Sequence, residues 1–102
     1  MQLVGREALQ KALRKHADAR NWISAWVNTV QDADWLSLDD VRADYPSADG
    51  VRLKSLIVIT VFNVKGNTYR LLTRINYADR IVAALELLTH AEYNKDQWKE
   101  RY

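Results

Sequence analysis

The hydrophobic period of this chain changes at Gly50. Before it, apolar residues recur every three or four positions; after it they run continuously or alternate. The first pattern is that of amphipathic helices and the second that of strands. A chain broken in this way folds as α+β, with helices laid over a sheet. From Arg6 to about 17, Leu9, Ala12, Leu13 and His16 share one helical face. Asp18 or Asn21 can cap a second helix, in which Trp22, Trp26, Thr29, Val30 and Ala33 form one stripe. The two predict an antiparallel pair packed on a sheet. Ser37, followed by Asp39 and Asp40, reads as the start of a short helix ending near Asp44. The first four residues suit a short strand, and Tyr45-Pro46 and Asp49-Gly50 read as loops.

Beyond Gly50 a short strand is expected at about 51–54, and the apolar run 56–64 reads as a buried central strand. Lys65-Gly66 is turn chemistry, with a return strand expected over 67–77. Ala78-Asp79 turns again, about 80–89 forms another apolar strand, and the polar tail from His90 has helical character. If the hairpin loop is two residues, Asn63 faces Thr68; a three-residue loop moves that pairing by one. Alternation then puts Asn63, Val61, Thr68, Arg70 and Arg74 on one face. Val64, Phe62, Tyr69, Leu71 and Ile75 lie on the other, the floor for the helices.

A chain of 102 residues implies one domain, spanning 1–102, with a single core. Cysteine is absent, so neither disulfides nor thiolate chemistry is expected, and a cytoplasmic setting is allowed. No run approaches the roughly 20 apolar residues of a membrane helix, and the start lacks a signal-peptide core. Charge is uneven. Residues 1–49 carry six Lys/Arg against eight Asp/Glu, and residues 50–102 carry nine against five. The basic half suits a phosphate-bearing partner.

That half also holds the chemistry. Asn63, Lys65, Asn67 and Arg70 sit around the hairpin, and His90, Glu92, Tyr93 and Lys95 follow the last strand. A guanidinium can hold a phosphate through two hydrogen bonds and stabilise its extra charge in a transition state. Histidine is the side chain best suited to proton transfer near neutrality, which makes His90 the candidate acid or base. Such a cluster fits attack on a phosphodiester by its neighbouring hydroxyl, without metal or small-molecule cofactor. Each residue has a plainer reading. Arg74 is explained equally well as a solvated strand residue, His16 as part of a core stripe, and Tyr93 as packing under the tail. Glu92 suits the first turn of a helix. Lys54, Lys65 and Lys95 matter only collectively, as electrostatic attraction for RNA. Trp22, Trp26 and Trp35 read as core anchors.

These residues resemble the HigB-type toxins of bacterial type II toxin–antitoxin modules, within the RelE-like superfamily of mRNA interferases. The resemblance is carried by Trp26, Trp35 with Ser37 and Asp40-Val41, and by Tyr45-Pro46-Ser47-Ala48-Asp49. It continues in Phe62-Asn63-Val64-Lys65-Gly66-Asn67, Tyr69-Arg70-Leu71 and Thr89-His90-Ala91-Glu92-Tyr93. It implies two N-terminal helices packed on a twisted, mostly antiparallel sheet with a short C-terminal helical segment. It implies an endoribonuclease that cleaves mRNA in the ribosomal A site, and a helix-turn-helix antitoxin of HigA type as partner. Arg70 would contact the scissile phosphate, and His90 and Tyr93 would supply acid–base chemistry, with Lys54, Asn63, Lys65, Asn67, Arg74, Glu92 and Lys95 holding RNA. Two features depart from the family pattern: Ala83 and Leu85 leave the last strand without a second cation, and Asn94 replaces a carboxylate. Ala83 and Leu85 motivate one rival reading, a catalytically impaired protein that only binds RNA or antitoxin; a second rival keeps the fold but is a ParE-like poison of another target.

Overall fold

The computed structural model describes all 102 residues as an α+β fold. Strand β1 (Gln2–Val4) leads into helix α1 (Arg6–Lys15). A 3-10 turn (Ala17–Ala19) joins it to α2 (Arg20–Asp32), and α3 (Leu38–Asp44) follows. Strands β2 (Asp49–Arg52), β3 (Val58–Val64), β4 (Tyr69–Asn76) and β5 (Ile81–Thr89) form the meander. Helix α4 (His90–Asn94) and a 3-10 segment (Gln97–Arg101) end the chain. No helix is long and apolar enough to cross a membrane.

The five strands lie in the order β1-β5-β4-β3-β2, and the sheet is mixed: β1 runs parallel to β5, while the other pairs are antiparallel. The parallel edge follows from Gly5. It sits at φ 87, and a Cβ there would lie 2.3 Å from the carbonyl oxygen of Ala84. Only glycine lets the backbone turn from β1 into α1 so close to β5.

The side of the sheet under the helices is the main core. Trp26, Val30, Val41, Phe62, Val64, Leu71 and Val82 are almost fully buried there. Trp26 meets Phe62 edge-on at 5.5 Å, and Trp35 stacks on it at 6.3 Å. The expected core tryptophans Trp26 and Trp35 are therefore anchors, and Trp22 is half-buried beside Tyr45.

Four sequence expectations need correction. Neither Asp18 nor Asn21 caps α2, because the chain stays helical through the 3-10 turn and its N-terminus has no side-chain cap. Asp49 and Gly50 belong to β2, where they pair with Val61 and Thr60. The β3–β4 loop holds four residues, Lys65–Thr68. Lys65 (φ 52) and Gly66 (φ 65) both take left-handed conformations, so Val64 faces Tyr69 and Asn63 faces Arg70. The shift is by two residues, so the predicted faces survive although the partners change. Finally, the second face of the sheet is largely covered. Leu53, Ile59, Val61, Leu72, Leu88 and Trp98 form a second, smaller core beneath the C-terminal segment. Trp98, only 1% exposed, closes it. The hairpin end, with Asn63 and Arg70, stays polar on that face, as do the outlying Arg74, Glu86 and Asp49.

Candidate active site

Consecutive strand residues point to opposite faces, so Tyr69 and Arg70 carry the hairpin end into both layers of the molecule. Arg70 is 9% exposed. Its Nη1 donates to the Tyr69 carbonyl at 3.2 Å, and its Nη2 donates to Asn67 Oδ1 at 3.3 Å and meets His90 Nδ1 at 3.1 Å. None of the ion pairs in the protein includes it. A guanidinium has five N–H donors, and three are used here. A buried cation with two spare donors and no carboxylate partner is a site prepared for an anion.

The contact with His90 is a hydrogen bond in one tautomer only. Arginine cannot accept a hydrogen bond, so Nδ1 of His90 must accept. The imidazole proton then sits on Nε2, and this exposed side chain presents an N–H donor to whatever binds beside Arg70. His90 is held there by its backbone, since it opens α4 and its N–H donates to the Thr68 carbonyl of the hairpin loop at 3.3 Å. Thr89 caps the helix: its hydroxyl accepts from the Glu92 N–H at 3.1 Å, and Glu92 Oε1 accepts from the Thr89 N–H at 2.9 Å. That second bond is the main reason the Glu92 carboxyl lies below its ordinary range. Glu92 is thereby engaged in the cap that orients His90.

Tyr93, one step on, stacks its ring on Trp98 at 5.3 Å with 16° between planes, and Arg70 Cζ lies 5.6 Å from its centroid. Trp98 Nε1 donates to the Tyr93 carbonyl at 3.1 Å. Burial raises the Tyr93 hydroxyl above its ordinary value, with smaller contributions from acidic neighbours. The phenol therefore keeps its proton near neutrality and is a donor there. Its ring is already stacked, so the hydroxyl is what it leaves for a ligand.

On the helix side, Tyr69 Oη donates to Asp18 Oδ1 at 2.6 Å, and Lys65 Nζ meets Asp18 Oδ2 at 3.3 Å. The Tyr69 bond is the largest cause of a lowered Asp18 carboxyl, and it raises the Tyr69 hydroxyl in return. The His16 ring packs on Tyr69 at 4.7 Å, which agrees with its expected structural role.

The hairpin and α4 thus bring Arg70, His90, Tyr93, Asn67 and Asn63 together. The structure does not bring in every expected residue. Arg74 lies four positions along β4, about 13 Å away at strand rise, exposed and opposite Ala83. Lys54 follows β2 at the far end of the sheet, in a cleft with Arg52 and Lys99. From Val58, at that end, to Asn63 is about 17 Å along β3. Lys65 is spent on Asp18, and Lys95 is the exposed C-terminal cap of α4. Sequence reasoning missed Asp18, Tyr69 and Trp98. The available signal for Trp98 was a large aromatic in an otherwise polar tail.

A family model described as HigB_toxin, RelE-like toxic component of a toxin-antitoxin system, matches residues 19–96. The chain belongs to the HigB toxin family. Among its relatives, the mRNA interferase toxin HigB of Escherichia coli is 29% identical over 94 residues, covering 92% of this chain and 88% of the relative. The mRNA interferase HigB of Shigella flexneri matches to the same extent. The matched region contains the whole Arg70–His90–Tyr93 constellation, but Trp98 and all of α1 lie outside it. Ala83 and Leu85 do not enter the constellation. Ala83 pairs with the distant Arg74, and Leu85 occupies the bulge between the Leu72 and Thr73 pairings.

Proposed function

We propose that this HigB-family toxin is an mRNA interferase, an endoribonuclease that arrests translation and growth. The reading rests on the buried, carboxylate-free guanidinium of Arg70 in contact with Nδ1 of His90. In this mechanism a ribose 2′-oxygen attacks the adjacent phosphorus. The P–O2′ bond forms, the P–O5′ bond breaks, and the products are a 2′,3′-cyclic phosphate and a free 5′-hydroxyl. The two unpartnered N–H groups of Arg70 bind the non-bridging oxygens and stabilise their growing charge. His90, with its proton on Nε2, donates a hydrogen bond to the departing 5′-oxygen, which takes its proton from the Tyr93 hydroxyl or from water. Tyr93 offers a second donor, and the 2′-hydroxyl proton leaves to water or to the phosphate itself. Asn67 orients Arg70, and Asn63, directly opposite, lies where it can touch the nucleotide.

The family supports an antitoxin partner. Its helix-turn-helix character, an mRNA substrate presented in the ribosomal A site, a cytoplasmic setting and a single domain spanning the chain complete the proposal. The test is induced expression without antitoxin, with primer extension on an abundant transcript. New 5′ ends inside coding sequence that appear as growth stops, and vanish in Arg70→Ala, support it. A folded protein that binds antitoxin but yields neither arrest nor new ends would refute it.

A further inference from the structure

We propose that the groove between α1 and the free edge of β5 is an extended RNA-binding track that carries the single strand beyond the cleaved bond. This deepens the ribonuclease reading and rests on it. β1 pairs with β5 only at Ile81, Val82 and Ala83. Beyond Gly5 the chain lifts into α1 and leaves a cavity of about 460 Å3 between α1 and the Leu85–Leu88 edge. The lining runs from Ala8 on α1 to His16, which caps that helix, about 12 Å at helical rise, the reach of roughly two to three nucleotides. One end is at Glu92 and His16. His16 packs on Tyr69, the neighbour of Arg70, and Glu92 is in the helix that His90 opens. Tyr69 faces the opposite layer from Arg70, so the track joins the proposed scissile site through α4, the helix that His90 opens.

Its charge identifies the occupant. Lys11 and Lys15 line the groove, both exposed and both absent from every ion pair in the protein. The two carboxylates there are already engaged. Glu86 accepts from Arg101 at 2.7 Å and from Tyr102 at 2.8 Å, and Glu92 is held in the Thr89 cap. Three cations (Lys11, Lys15, Arg101) against two carboxylates (Glu86, Glu92) leave the groove a net charge of +1, with Lys15 also attracting Glu92, and the two lysines lie one helical turn apart on the same face of α1. A polyanion with regular charge spacing matches this, and a single-stranded RNA leaving the Arg70 site past His90 and α4 would enter it. Of the β5 leucines that line it, Leu85 is half-buried and offers apolar surface for a base, while Leu87 and Leu88 are buried.

The test uses 2′-O-methyl RNAs, which cannot be cleaved, as a trinucleotide and a dodecanucleotide, with affinity followed by fluorescence anisotropy over a range of salt. The variant is Lys11→Ala/Lys15→Ala. Both positions are on an exposed helix face, and alanine favours helix, so its folding is checked by circular dichroism and thermal midpoint. For the wild type, the dodecanucleotide should bind several-fold more tightly than the trinucleotide. In the variant that gain should vanish, trinucleotide binding should not change, and the slope of log K against log salt should fall by about 1.4, two contacts at about 0.7 each. Lys11→Arg/Lys15→Arg should restore both. An unchanged length dependence and slope in the alanine variant would overturn the track. So would a defect confined to binding of intact ribosomes, which would assign the lysines to ribosomal RNA. Cleavage is scored separately. Length-dependent binding by a wild-type chain that never cuts would sink the nuclease reading and leave the track standing.

Discussion

Arg70→Lys should separate charge from geometry at the proposed site. In the wild type the guanidinium makes three contacts at once, to the Tyr69 carbonyl, Asn67 Oδ1 and His90 Nδ1, and keeps two donors free. An ammonium keeps the positive charge but not the planar fork. It can reach the phosphate or His90, not both in the same geometry. Losing one preorganised donor to a developing oxyanion costs about 2.7–4 kcal/mol, or about 10²–10³ in rate. Ground-state attraction for the phosphate survives in the lysine. The loss should therefore appear as a lower maximal cleavage rate, with the enzyme concentration giving half-maximal rate changed by less than about threefold. The assay is the time course of new 5′ ends by primer extension over a range of toxin concentrations. Nitrogen-15 NMR of His90 is the independent readout. It should show one tautomer, protonated at Nε2, in the wild type and a mixture in Arg70→Lys. Combined with His90→Ala, the substitution should add little further loss, because the two side chains act as one unit. An Arg70→Lys protein that cleaves within about threefold of wild type, with the tautomer intact, would refute the reasoning and reduce Arg70 to a point charge.

Trp98→Ala empties the second core and removes both the stack and the hydrogen bond that seat Tyr93. It should lower unfolding free energy by about 3–5 kcal/mol in urea titration. Trp98→Phe, which keeps a stacking ring, should recover most of that loss. Gly5→Ala forces a Cβ against the Ala84 carbonyl at a left-handed φ. It should destabilise by at least about 1 kcal/mol, and a thermal midpoint equal to wild type would show that the parallel edge can shift. Glu92→Gln preserves the capping geometry and removes the charge. The Glu92 carboxyl is depressed in the folded state, so its contribution is present above the ordinary value of 4.5 and lost as pH falls through the lower folded value. Urea midpoints of wild type and variant should differ near neutrality and converge on acidification below that value. Asp18→Asn breaks the link to Lys65 and weakens the one to Tyr69. Amide hydrogen exchange at Lys65–Thr68 should speed up while β3 and β4 stay protected; unchanged exchange would mean that the loop is held by its backbone alone.

The parts legible in the sequence were those that local physics dictates. The Leu9 and Trp26 stripes, the continuous apolar run of β3 and the glycine at the hairpin follow from period and turn chemistry, and all lie where these patterns put them. The face of Arg70 was also legible, because alternation depends only on strand parity. What escaped the sequence depends on distant partners. Nothing near Met1 says that β1 joins the sheet beside β5 in parallel, since the pairing is set by a strand some eighty residues on. Asp18 resembles a helix cap until Tyr69, 51 positions away, takes its carboxylate. The four-residue loop could not be told from two because Lys65 adopts a left-handed conformation that its type does not advertise. Lys54 and Arg74 joined the expected site on charge alone, and strand length separates them from it.

The placement of Tyr69 and Arg70 explains why a short domain can hold a reactive guanidinium in position. A buried cation without a carboxylate is unfavourable, and an arginine at an exposed hairpin would swing toward water. Here neighbouring residues of one strand are tied on opposite faces. Tyr69 is bonded to Asp18 and packed against His16 in the helical layer. Arg70 is held by Asn67, His90 and the Tyr93 ring in the C-terminal layer. Neither layer alone fixes the strand end; together they leave it little freedom to rotate or slide. The C-terminal side is built last in the chain and closed by Trp98, beyond the segment that defines the family. The site geometry is therefore a property of the whole sandwich. Substitutions in α1 or the tail that never meet a nucleotide should change the rate through the orientation of Arg70 and His90, with little effect on charge attraction.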